Sequence, residues 1–161
     1  MGYTTDFSGC FMLDKPLNKD QIRYLDRFAN TRRMTRNTAL LPRDPFALAV
    51  GLPHGEEGQY YVASKAQMGE DEDASVIKFN VPPVGQPGLW CQWVPSDDGM
   101  SIQWDGGEKF YNYVDWITYL IQHFIAPWGY VLNGEVVWSG EDPSDSGVIV
   151  VNNNIVTTKV N

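Results

Sequence analysis

His54, His123, Cys10 and Cys91 are the side chains that acid–base, nucleophilic or zinc chemistry would draw on first. They show no ligand-like spacing, and a zinc site needs three or four converging ligands, so neither a metal nor another cofactor is expected from them. Two histidines are also too few for most nucleophile–base–orienter sets. Asp105, Glu108 and Asp115 come closest to paired carboxylates. Glu108 and Asp115 would lie two helical turns apart, about 10 Å along an axis, which suits only the long end of the separation used by inverting hydrolases. The run Glu70, Asp71, Glu72, Asp73 lacks the following glycine and terminal glutamate of a calcium loop and reads as a solvated loop. No glycine-rich phosphate loop or nucleophile elbow occurs. Gly106 and Gly107 would offer free N–H groups to an anion, but Asp105 and Glu108 would repel it. The chemistry-bearing residues therefore favour a non-enzymatic protein.

Binding is better represented. Arg32, Arg33 and Arg36 form a cluster that either ends a helix, where positive charge suits the dipole, or meets an anionic group. Trp90, Gln92, Trp93, Gln103, Trp104, Trp116 and Tyr119 form a polar and aromatic set. Such residues anchor protein interfaces, or stack on and read a small ring; they also close a Trp-rich core through hydrogen bonds to Gln92, Gln103 and Asn112. The first functional reading is a protein-binding or inhibitory protein. The alternative is a small-molecule or nucleotide-binding domain, with or without hydrolytic activity, in which the arginines meet an anionic small molecule.

These residues need elements to hold them. Residues 7–13 read as a strand ended by Pro16. Asn18 and Gln21 form a capping box for a helix running to about Met34, with Ile22, Leu25, Phe28 and Ala29 as its buried stripe. Prolines and glycines break the pattern from 41 to 88, leaving short strand candidates at 60–63 and 75–79. Strands follow at 89–94 and 100–104, joined by the turn 95–99. Asp105 and Glu108 predict a second capping box and a helix over 107–125, ended by Pro127 and Gly129. Strands at 135–139, 148–151 and 155–160 complete a ββαβββ order whose short connections call for antiparallel pairing. The expected fold is a single α+β domain over 1–161, a mainly antiparallel sheet with two principal helices packed against it.

The chain has 161 residues, of which 43% are apolar, enough for a core and too many for disorder. Its formal charge is -8, which argues against nonspecific binding to nucleic acid or to an anionic membrane. The charge is uneven, because residues 1–43 hold eight of the 12 Lys and Arg. No stretch approaches the roughly 18 apolar residues of a membrane span. Asp6 stands where a signal peptide would be basic, and two cysteines outside any CxxC pair read as reduced thiols, so the expected compartment is the cytoplasm.

The segments QPGLWCQWVP at 86–95 and IQWDGGEKFYNY at 102–113, with PWGY at 127–130 and LNGE at 132–135, are specific marks. With GYTTDF at 2–7 and TRRM at 31–34, they resemble a family of small acidic hypothetical proteins of bacterial and phage genomes. The resemblance spans nearly the whole chain and brings no activity with it. Its phage background is that of small inhibitors of host defence, which implies a protein partner.

Overall fold

Alternation of apolar and polar residues builds the sheet. In a computed structural model describing residues 2–63 and 73–161, the strands are β1 (Thr5–Leu13), β2 (Thr35–Arg36), β3 (Val76–Lys78), β4 (Trp93–Pro95) and β5 (Ser101–Trp104), then β6 (Leu132–Gly140), β7 (Ser146–Asn152) and β8 (Ile155–Val160). The helices are α1 (Lys19–Ala29), the short α2 (Pro45–Ala49) and α3 (Tyr113–Leu120), which continues as a π-helical turn over Ile121–Ile125. Six strands form one antiparallel sheet in the order β4-β5-β1-β6-β7-β8, and β2 pairs with β3 separately. The fold is α+β, a mainly antiparallel sheet and two main helices, as the two periodicities predict. Among the described residues no helix is long and apolar enough to cross a membrane.

The chain divides into two compact units, Met1–Leu17 with Gln92–Asn161, and Asn18–Cys91. The first contains the six-stranded sheet. Its β1 lies between β5 and β6, with Phe11 opposite both Ile102 and Gly134. Phe11, Leu13, Ile102, Leu132, Val136, Trp138, Ile149 and Val151 point to one buried face. Phe7 joins an aromatic cluster there, with its ring 5.4 Å from Trp93, 5.7 Å from Phe110 and 4.9 Å from Tyr113. Tyr113 carries α3 onto the same cluster, since its ring is 6.0 Å from Trp138 and its carbonyl accepts the Trp93 indole N–H at 2.9 Å. Mid-strand, Gly9 has φ +102, and a Cβ there would stand 2.7 Å from the Glu135 carbonyl oxygen. Only glycine fits that approach.

The predicted second capping box does not form. The Asp105 carboxylate instead accepts the Gly107 N–H at 2.7 Å within a loop. Gly106, Lys109 and Asn112 take φ of +85, +59 and +58, which no right-handed helix accommodates, so α3 starts at Tyr113. The strand predicted at 89–94 narrows to Trp93–Pro95, the part with ladder partners in β5. β7 and β8 are joined by a two-residue turn of Asn153 and Asn154, both at positive φ, and Asn152 belongs to β7.

In the second unit the Asn18–Gln21 capping box is complete, with bonds of 2.8 and 3.0 Å. Tyr24, Leu25, Phe28 and Ala29 are buried on α1, while Ile22 is half-buried. The helix ends at Ala29 rather than near Met34, because Arg33 leaves helical pairing and donates its N–H to the Leu89 carbonyl at 2.8 Å. Residues 60–63 make no strand. Of the predicted acidic run 70–73, residues 70–72 lie outside the described residues.

Candidate functional site

An arginine beside exposed backbone carbonyls satisfies them as readily as it would a phosphate, because its five N–H groups form a rigid fork. Arg33 does this. It is 2% exposed, and it donates to the carbonyls of Tyr61 at 2.8 Å, Gln59 at 2.9 Å and Gly58 at 3.4 Å, and to the Gln86 side chain at 3.2 Å. Arg36 is also buried, and it bonds Ser75 at 2.8 Å and the Asp73 carboxylate at 3.2 Å. Burial pushes the Asp73 carboxyl up, but the Ser75 hydroxyl and N–H and the Arg36 guanidinium outweigh it and hold the group below its ordinary range. Arg32 is half-buried, donating to the Phe79 carbonyl at 3.1 Å and to Asn80 at 2.9 Å. The guanidinium groups of the predicted arginine cluster thus bind their own chain.

The predicted aromatic and amide set separates in the same way. Trp93, Trp116 and Tyr119 are core residues, with Tyr119 stacked 4.0 Å from His123. Burial pushes the His123 imidazole down from its ordinary pKa. Gln92 and Trp104 meet: the indole N–H donates to the Gln92 side chain at 3.3 Å and to the Gly107 carbonyl at 3.1 Å. Gln92 in turn donates to the Glu108 carbonyl at 2.8 Å, so the pair anchors the loop before α3. Trp90 is half-buried in the Asn18–Cys91 unit. Gln103 is exposed on the sheet. Cys10 and Cys91 are free thiols, and no cluster of three His, Cys, Asp or Glu suited to a metal occurs among the described residues.

Gln103 marks a different surface. Residues of alternate parity project from the sheet face away from the aromatic cluster, and the register places them in rows. One row runs Ser8, Val137, Val148, Lys159, and another Cys10, Glu135, Val150, Thr157. Met12 stands opposite Asn133 and Ser101, and Ile155 opposite Asn152. Met12, Val137 and Ile155 are 46%, 45% and 66% exposed. Toward the β4–β5 turn this face runs into a depression of about 440 Å³ lined by Met12, Pro95, Ser96, Asp97, Asp98 and Gln103, among others.

Acids border the face. Asp6 projects from β1, Asp97 and Asp98 from the β4–β5 turn, and Glu141 and Asp142 from the turn after β6, all exposed. The Ser96 hydroxyl and Met100 N–H hold the Asp98 carboxyl below its ordinary range, and the Ser144 N–H and hydroxyl do so for Asp142. Both acids therefore stay ionised into mildly acidic solution. This face, partly apolar and bordered by acids, lies outside the predicted aromatic set. Its signal was the unbroken apolar run 148–151, which gives the sheet apolar side chains on both faces where a one-sided sheet would alternate. No family model, curated protein or solved structure matches this chain.

Proposed function

We propose that the protein is a non-enzymatic binding protein, of the inhibitory kind its phage-like resemblance implies, and that the open face of its sheet docks on another protein. The observation that carries this reading is the exposure of Met12, Val137 and Ile155 near Val148 and Val150 on one face of the sheet, where Glu135 and Lys159 also project. An antiparallel sheet with one face in water normally makes that face polar, and a contiguous apolar patch with a polar rim is the usual mark of a protein interface. The acidic border favours a partner whose contact surface is basic at its edge, with association that slows as salt rises. The test is capture of a partner from host lysate, compared between the wild-type chain and the Val137→Asp variant. Val137 is solvent-facing, so the variant should keep its melting temperature and lose at least about tenfold in affinity, the effect of disrupting a central contact. Equal retention by both chains, or no partner at low salt, overturns the reading.

The alternative of a small-molecule site draws its support from the depression at the β4–β5 turn. Asp97 and Asp98 on its wall suit a neutral or cationic ligand rather than a nucleotide phosphate. Thermal-shift screening tests it, since a bound ligand must raise apparent stability.

A further inference from the structure

β8 ends the six-stranded sheet and, among the described residues, pairs on one side alone, with β7. Successive residues of an antiparallel strand send their N–H and C=O groups alternately to its two sides. The Asn161 N–H donates to the Ser146 carbonyl at 3.0 Å, so residues 155, 157 and 159 pair inward by the same alternation. Val156, Thr158 and Val160 then direct their N–H and C=O groups away from the sheet. These three positions are symmetric about Thr158.

The geometry points to β8 as a self-complementary edge that takes a second copy of this chain, antiparallel, about a twofold axis through Thr158. Val156 of each copy then stands opposite Val160 of the other, and Thr158 opposite Thr158. Each aligned pair exchanges two main-chain hydrogen bonds, about six in total. Threonine–threonine and β-branched pairs are among the favourable cross-strand partners, and five of the six β8 residues are β-branched.

Charge favours the same occupant. A chain of formal charge -8 repels its own copy over most of its surface. β8 contains no acid, and its single charge, Lys159, has the opposite sign. In this register Lys159 faces the second copy's Thr157, so the two ammonium groups do not oppose each other. Edges that avoid pairing use charged side chains, lysine above all, or proline, bulges or inward charges, and of these β8 carries one lysine. β8 has no proline, and its pairing with β7 is unbroken from Ile155 to Val160. Ile155 and Val160, 66% and 74% exposed, become covered. The area of one short edge falls below the roughly 800 Å² per partner of stable complexes, so the dimer is weak and concentration-dependent.

Sedimentation equilibrium and amide hydrogen exchange over about 5 μM to 1 mM test this, the range in which so small an interface assembles. Dimer should accumulate with concentration, and the Val156, Thr158 and Val160 amides should slow with it. Thr158→Pro removes an outward N–H and leaves the β7 ladder intact, because proline is tolerated where the N–H faces solvent. It should weaken the dimer at least about tenfold and keep the monomer's circular dichroism. Should that variant misfold, Thr158→Lys places like charges directly opposite and serves the same purpose. A wild-type chain monomeric throughout overturns the proposal. So does a dimer that tolerates Thr158→Lys, or slowing of the three amides only when a foreign extended peptide is added.

Discussion

β6 and the segment 58–63 satisfy their backbone carbonyls in different ways. β6 has a strand on each side, β1 and β7, and its main chain pairs with theirs. The segment 58–63 has no such neighbour. Its carbonyls are taken by side chains: Gly58, Gln59 and Tyr61 by Arg33, Tyr60 by the Tyr24 hydroxyl at 2.8 Å, and Ala63 by Arg27 at 3.1 Å. Its N–H groups divide: those of Gly58, Gln59, Tyr60 and Tyr61 go to nearby backbone carbonyls, that of Val62 to Asp44 at 3.0 Å, and that of Ala63 to Thr31 at 2.9 Å. Buried backbone must be paired, but nothing requires that the partner be backbone. The difference concentrates risk. A ladder shares its bonds among many residues, whereas here one guanidinium holds several carbonyls.

The largest effect should therefore come from Arg33→Met, which takes donors from the Tyr61, Gln59 and Gly58 carbonyls and the Gln86 side chain and leaves the first of these without its guanidinium partner; we expect a loss of about 3–5 kcal/mol in urea unfolding. Lysine at 33 should recover no more than about half of that, lacking the fork. A loss under about 1 kcal/mol would remove the contrast between the two segments. Trp93→Phe probes the other region: it shortens a fully buried ring and removes the bond to Tyr113, and should cost about 2–3 kcal/mol by the same measurement. Asn18→Ala removes a cap at the solvent boundary and should cost about 1 kcal/mol.

The smallest effect is a pH dependence. The ordinary His123 pKa of 6.5 is lowered in the folded chain by burial, so the unfolded chain takes up the proton first as pH falls. Stability associated with the neutral ring is present above 6.5 and is lost as pH falls through the lowered folded value. Melting temperatures between about pH 7.5 and 5 should fall more steeply for the wild-type chain than for His123→Gln. Equal slopes would show that this ring contributes nothing to the dependence.

What the sequence disclosed was what lies within a few residues of itself. The Asn18–Gln21 box and the Asn153–Asn154 turn are local, and both are present. The absence of a strand at 60–63 has a physical reason, since its hydrogen-bond partners come from Tyr24, Arg27, Thr31 and Arg33, some thirty residues away. Asp105 and Glu108 have cap-box spacing, but Asp105 spends its carboxylate on Gly107 and the next residues turn left-handed. The arginine cluster was legible as a cluster and not as an inward-facing one, because composition does not say which carbonyls need donors. The open sheet face was half legible: alternation placed Gln103 on it, but its depth of apolar character depends on rows that only the register assembles.

The position of β1 has a consequence during synthesis. Phe11 leaves the ribosome early and must wait for Gly134, its neighbour in β6. At roughly 5–20 residues per second, the intervening 120 or so residues take about 6–25 s. For most of that interval, until β5 is made, β1 has neither lateral neighbour. Asn18–Cys91, contiguous in the chain, emerges complete while β1 is still waiting. A nascent chain stalled before residue 101 would present β1 as an unpaired segment with apolar side chains, the kind that chaperones hold and that aggregation recruits.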